Sequence, residues 1–203
     1  MDTRTQRLMA EVIGSLADRA CFLTQLGPCA EALGFDYFSY IVFSCYPASS
    51  PKMLIEGNIS TNYLEDYRRQ RVYLQDPVIE RAHHSTLQFQ WDESFYHERP
   101  TLWRRMAQFG LCAGWSQSVK DCYGRLGLLT CAGKALPEQT PQARAANETF
   151  FLWLAQTAHK TLREALISVN DDAIKDVLTL REKDILRWSS EGKTAEEIAL
   201  LMG

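Results

Sequence analysis

The sequence has little of what marks several large classes of protein. No stretch approaches the roughly 20 apolar residues that cross a bilayer. The opening Met1-Asp2-Thr3-Arg4-Thr5-Gln6-Arg7 leads into no apolar run of signal-peptide length. A cytoplasmic location with no membrane partner is expected. Charge of one sign is not in excess: 22 Lys+Arg against 25 Asp+Glu leave a net −3, too balanced for a basic nucleic-acid coat or an acidic disordered tail. No CxxC pair occurs. Cys21, Cys29, Cys45, Cys112, Cys122 and Cys131 stand among apolar neighbours in a chain of 203 residues, too long to need staples, so reduced and mostly buried thiols are expected. His83, His84, His97 and His159 have no i,i+4 partner across a carboxylate. No metal site is therefore expected, and solvated helix ends account better for them. Nucleophile elbows and phosphate loops are missing as well. Pairing Cys112, Cys122 or Cys131 with His83 or His97, or using Asp92 and Glu93 as acid and base, would need a convergence that no spacing supports. The chain is expected to be no enzyme, with no catalytic residues and no cofactor.

What the chain does have is the material of a core. It is 46% hydrophobic and 11% aromatic with 7 prolines, a globular rather than disordered composition. Leu8, Val12, Leu16, Phe22, Leu26, Ala30 and Leu33 recur at helical spacing up to Gly34. They predict two packed helices, or one broken near Gly27-Pro28. Phe35 to Tyr46 is apolar on both faces and predicts a central strand; Lys52 to Gly57 predicts a second, paired back across the loop Pro47 to Pro51.

Ser60 or Thr61 can cap a short helix to about Arg71, and Asp76-Pro77 is an N-cap followed by proline at the first helical position. Phe89 to Trp91 predicts a strand and Pro100 to Phe109 a helix ended at Gly110. Gly114 to Asp121 and Leu126 to Ala132 predict strands joined at Tyr123-Gly124. A long helical pattern from Thr140 to about Ser168 closes the domain. Helices segregated from hairpin-paired strands predict an α+β fold, an antiparallel sheet with helices on its faces.

The texture changes at Val169-Asn170-Asp171-Asp172. Thr179-Leu180-Arg181-Glu182 and Thr194-Ala195-Glu196-Glu197 are two capping boxes in series, separated by Gly192. They predict the two short helices that open a helix-turn-helix. The expected division is one α+β domain over 1–168, a linker over 169–178 and the N-terminal part of a helix-turn-helix DNA-binding domain over 179–203. No residues remain for a recognition helix, and 179–203 carries four basic and five acidic side chains. This chain is thus expected not to bind operator DNA, which lacks its main electrostatic partner here.

Several stretches together resemble a known family: Gly34-Phe35-Asp36-Tyr37; Tyr63, Tyr67 and Asp76-Pro77; Trp91 fourteen residues beyond Pro77; Gly114-Trp115; and the run from Leu180 to Ile198. The sequence resembles the LuxR-type quorum-sensing transcription regulators over almost all of its length. That resemblance implies an α-β-α sandwich followed by an incomplete all-α helix-turn-helix segment, and an N-acyl-homoserine lactone held between the sheet and the helices of one face. It implies dimerisation, as a homodimer or as a heterodimer with related regulators, and promoter DNA as partner of a full-length form. Asp76 matches the carboxylate that accepts the ligand amide N–H, a task suited to a charged acceptor in a dry pocket, and it can cap its helix as well. Trp91 matches the pocket-wall indole, Thr130 the hydroxyl that reaches an acyl carbonyl, and Tyr67 the tyrosine one turn beyond the lactone-reading position, on the same side as Tyr63.

The resemblance places Ile41, Phe43, Val78, Leu102, Met106 and Leu111 on the pocket wall, though each alone would suit any core. Two positions depart from the family: Tyr63 stands where it has a lactone-reading Trp, and Ile59 where many members have Tyr. A phenol donates a hydrogen bond with a different reach from indole, so a related non-lactone amphiphile is the alternative ligand. A truncated product inhibiting full-length regulators is the alternative role, and a module that folds without any small molecule is a third reading.

Overall fold

The computed structural model describes residues 3–44, 52–122, 124–163 and 178–202. The chain divides into two compact units, Met1–Leu166 and Ile167–Gly203. In the first, α1 (Thr3–Ser15) and α2 (Arg19–Ala32) precede β1 (Tyr37–Ser44) and β2 (Lys52–Gly57). Next come α3 (Thr61–Arg69), a 3-10 turn (Val72–Leu74), α4 (Pro77–His84), β3 (Phe89–Trp91), a second 3-10 turn (Glu93–Tyr96) and α5 (Pro100–Ala107). The hairpin β4 (Ala113–Lys120) and β5 (Leu126–Gly133) leads into α6 (Pro141–Leu162). The predicted loop 47–51, the linker residues 169–177 and Tyr123 of the predicted hairpin turn lie outside the described residues.

The five strands form one antiparallel sheet in the order β2-β1-β5-β4-β3. Alternation along β1 sends Phe38, Tyr40 and Val42 to one face and Ile41 to the other. α1, α2 and α6 cover the first face, where Val12, Phe22, Leu26, Phe151, Leu154 and Leu162 are fully buried. α3, α4, α5 and the two 3-10 turns supply the layer on the second face. The expected sandwich of helices, antiparallel sheet and helices is therefore the architecture.

Local chemistry sets most of the boundaries. Thr140 caps α6 by accepting from the Ala143 N–H at 3.3 Å, with Pro141 at the first helical position. Gly34 and Gly110 follow α2 and α5 with φ of +90° and +78°, the left-handed geometry that closes helix ends. The N-terminal pair breaks elsewhere than at Gly27-Pro28. Asp18 caps α2 through Ala20 and Cys21, and Pro28 sits inside the helix. An interior proline costs about 3 kcal/mol, but burying Phe22, Leu26 and Cys29 around it returns roughly 1.5–3 kcal/mol for each large side chain.

Two expectations about burial need correcting. Of the described cysteines only Cys29 and Cys131 are buried; Cys21 and Cys122 are exposed and Cys112 lies between. Cys21 falls on the outward face of α2 and Cys122 in the β4–β5 turn, where apolar neighbours in sequence do not mean burial. His159 is no solvated helix end. It is buried under the sheet, where its Nδ1 pairs with the Tyr40 hydroxyl at 2.8 Å and its Nε2 lies 3.6 Å from Asp121. The last turn of α6 packs inward, which helical position alone does not reveal.

The second unit contains α7 (Leu180–Ser190) and α8 (Ala195–Met202). Both predicted capping boxes form. Glu182 and Thr179 exchange hydrogen bonds, as do Glu197 and Thr194. Gly192 makes the turn between them with φ +83°.

Candidate functional site

A cavity of about 50 Å³ lies between the sheet and the α3–α5 layer. Its floor is Ser39 and Ile41 of β1 with Leu128, Thr130 and Ala132 of β5; Ile55 of β2 continues it. Ile59, Tyr63, Leu64, Tyr67, Asp76, Val78, Ile79, Trp91, Tyr96, Met106 and Leu111 complete the wall.

Among the described residues Asp76 is the only carboxylate in this wall, and it is buried with three protein partners. Its Oδ1 accepts from the Val78 N–H at 2.9 Å and from the Tyr96 hydroxyl at 3.1 Å; its Oδ2 accepts from the Tyr67 hydroxyl at 2.8 Å. The cap and the cavity wall are thus built by one side chain, with Oδ1 holding the helix start. Oδ2 keeps acceptor capacity beyond Tyr67. Burial pushes the Asp76 pKa above the usual carboxylate range, against the lowering effect of the three hydrogen bonds. Burial first, and the Asp76 charge second, push the Tyr63, Tyr67 and Tyr96 hydroxyls far up, so all three stay protonated donors at neutral pH.

Helical spacing puts Tyr63 and Tyr67 together, with ring centroids 5.9 Å apart. Tyr63 also lies against Phe109 at 4.9 Å, and its hydroxyl makes no hydrogen bond among the described residues. Trp91 stands edge-on to Tyr96 at 5.9 Å. Its indole N–H donates to the Ser116 hydroxyl at 3.0 Å, and Ser116 in turn pairs with Thr130 at 2.8 Å. Gly114 makes room for this indole, since a β-carbon there would collide with the ring. Trp115, the next residue, points to the other face and stacks on Phe151.

The structure brings together Tyr63, Tyr67, Asp76, Trp91 and Thr130, and with them Ile41, Ile59, Val78, Met106 and Leu111. Phe43 and Leu102, expected on the wall, are not in it. Phe43 shares the face of Ile41 but lies farther along β1, where its ring meets Tyr73 and His83 at 5.8 Å each. Leu102 turns toward a surface groove with Gln70, Val72 and Arg105. Sequence reasoning missed Ser39, Ile55, Leu64, Ile79, Tyr96, Leu128 and Ala132. A period-2 reading from Thr130 finds Leu128 and Ala132, and α4 periodicity finds Ile79; Tyr96 and Ser39 carry no local signal. Asp92 and Glu93 do not form an acid–base pair: Asp92 caps the turn through the Ser94 N–H at 2.9 Å. Among the described residues no group of three metal-ligating side chains occurs, and no helix is long and apolar enough to cross a membrane.

Comparisons with known proteins agree with this geometry. Residues 19–162 match the family model of the autoinducer binding domain. The transcriptional activator AnoR of Acinetobacter nosocomialis is 32% identical over 176 residues, covering 86% of this chain and 74% of AnoR. The crystal structure of CepR2 from Burkholderia cenocepacia, an N-acylhomoserine lactone dependent LuxR family factor, superposes with a TM-score of 0.71. It is 23% identical and the match covers 81% of this chain and 98% of CepR2. SdiA, known from Escherichia coli, superposes in its complex with octanoyl-rac-glycerol with a TM-score of 0.63 at 24% identity, covering 100% of this chain and 76% of SdiA. These relatives are regulators of transcription, not enzymes. The chain belongs to the autoinducer-binding, LuxR-type family of quorum-sensing transcription regulators.

Proposed function

We propose that this cavity is the receptor site for an N-acyl-homoserine lactone, with Asp76 Oδ2 accepting the amide N–H, Thr130 donating to the acyl carbonyl and Tyr63 donating to the head group. One observation carries the reading: a carboxylate with acceptor capacity to spare stands in a wall whose other members are aromatic, aliphatic or hydroxyl-bearing. An N–H donor met there forms a charge-assisted bond shielded from water. Tyr67 and Tyr96 hold the carboxylate in place, and Trp91, Met106, Val78 and Leu111 supply apolar surface for the chain. Admitting that chain requires the α3–α5 layer to shift, and its short helices and 3-10 turns are suited to do so.

A second ligand class is favoured by Tyr63 and Ile59. A phenol hydroxyl close to Asp76 suits a hydroxylated head group as well as a lactone carbonyl, and SdiA, whose fold this chain shares, holds octanoyl-rac-glycerol. A thermal-shift series with acyl-homoserine lactones of increasing chain length and with octanoyl glycerol tests both. Concentration-dependent stabilisation by one lactone class supports the first reading. Stabilisation by octanoyl glycerol alone replaces it with the second, and no response to any of them removes both.

We also read α7 and α8 as the first helices of a helix-turn-helix that serves promoter DNA in a dimeric regulator. Their paired capping boxes and the Gly192 turn support this.

A further inference from the structure

Three hydroxyls cross the sheet floor in a row. Ser39 of β1 is paired with Thr130 of β5, and Thr130 with Ser116 of β4. All three side chains point toward the α3–α5 side, where Ser39 and Thr130 line the cavity. Ser116 does not line it and is fully buried. Its oxygen accepts from the Trp91 indole N–H and lies 2.8 Å from Thr130 Oγ1.

The row has a direction. An indole nitrogen only donates, so the Trp91–Ser116 bond fixes Ser116 as an acceptor there. The Ser116 hydrogen then needs an acceptor of its own, because a buried hydroxyl left unpaired is costly. Thr130 Oγ1 is the one side-chain acceptor within reach of it among the described residues. With Thr130 accepting from Ser116, the Thr130 hydrogen is turned toward the cavity, where hydrogen bonds in series strengthen one another. The helix layer thus presents an acceptor, Asp76, and the sheet floor a donor.

We propose that Ser116 is a positioning residue for ligand specificity: held by Trp91, it orients the Thr130 hydroxyl as a donor, so that the site selects amphiphiles whose amide carbonyl meets the sheet while the amide N–H meets Asp76. This rests on the receptor reading above. Ser116 touches no ligand atom and acts through Thr130.

The test compares octanoyl-homoserine lactone with its thioamide, in which sulfur replaces the acyl oxygen and accepts hydrogen bonds poorly while the N–H is kept. The wild type is expected to prefer the amide. Ser116→Ala is expected to reduce that preference about five-fold, the scale of one hydrogen bond, and Ser116→Thr to restore it. The Trp91 indole N–H resonance of the ¹⁵N-labelled chain, identified by Trp91→Phe, is expected to shift in Ser116→Ala and not in Thr130→Val. Thr130→Val lowers the same preference without depending on how Ser116→Ala folds. An unchanged amide-to-thioamide ratio in Ser116→Ala, or no preference in the wild type that binds the lactone, overturns the positioning role and leaves the receptor standing. No binding of these compounds or of any lactone of the chain-length series by the wild type overturns the receptor reading, and the positioning role with it.

Discussion

The two faces of one sheet are built on different terms. Toward α1, α2 and α6 the side chains are mainly aliphatic and aromatic and deeply buried: Val12, Phe22, Ala155, Phe151 and Leu162 are all at full burial. Toward α3, α4 and α5 the covering elements are short, two 3-10 turns interrupt them, and a cavity holds a carboxylate, three tyrosines and a hydroxyl-bearing floor. The first face supplies the stability that a marginally stable domain needs. The second gives up packing density for polar groups fixed at set positions. The same strands serve both, because alternate residues of β1 and β5 go to opposite sides.

The largest expected effect breaks the sealed face. Phe151→Ala removes a ring stacked on Trp115 and is expected to cost about 3–5 kcal/mol, read by denaturant unfolding, while the dissociation constant of any remaining folded protein stays close to wild type. The converse holds on the other face. Asp76→Ala is expected to lower lactone affinity by roughly 10- to 100-fold, the worth of a charged hydrogen bond of about 1.5–3 kcal/mol, with far-UV circular dichroism largely unchanged. Unaltered affinity in that variant would remove Asp76 from the site.

A smaller effect comes from a buried polar cluster on the side of α1, α2 and α6. His159 faces Tyr40 of β1, Asp121 and Arg125 of the β4–β5 turn, and Arg163 at the end of α6. Burial lowers its pKa from the ordinary 6.5, with Asp121 opposing. The native state therefore binds the proton less readily than the unfolded chain, and stability falls as the pH drops below the ordinary value. Each unit of depression corresponds to about 1.4 kcal/mol. The melting temperature of the wild type is expected to fall more steeply from pH 7 to 5.5 than that of His159→Gln; equal slopes would place the acid sensitivity elsewhere. Asp76, whose pKa is raised, works in the opposite sense on the cavity side. The smallest effect sharpens the ligand: Tyr63→Trp is expected to raise lactone affinity a few-fold, about one hydrogen bond, measured by titration. A decrease would indicate a site shaped for another head group.

Much of this contrast was legible residue by residue. Asp76-Pro77 announces a helix start because a carboxylate cap and a proline at the first position both satisfy orphan N–H groups. Gly34, Gly110 and Gly192 announce helix ends because only glycine adopts their backbone without strain. The apolar set from Ile41 to Leu111 was visible too, but two of its members, Phe43 and Leu102, point past the cavity. Periodicity assigns a face and not a distance along the strand or around the helix. Tyr96 was invisible because a 3-10 turn carries no period to follow, and Ser39 because serine in a strand has no signal of its own.

The sequence by itself determined where most of the helices begin and end, that β1 lies inside the sheet, and which family the chain resembles, since these follow from caps, turns and side-chain alternation within a few residues. Only the tertiary structure decided the rest. Strand register lined Ser39 of β1 up with Thr130 and Ser116 of the distant β4–β5 hairpin, and packing of α6 buried His159 against Tyr40. The turn after β3 delivered Tyr96 to Asp76, twenty residues away. Such meetings depend on long-range pairing, whose energy comes from burial and complementarity between elements, and no local pattern records it.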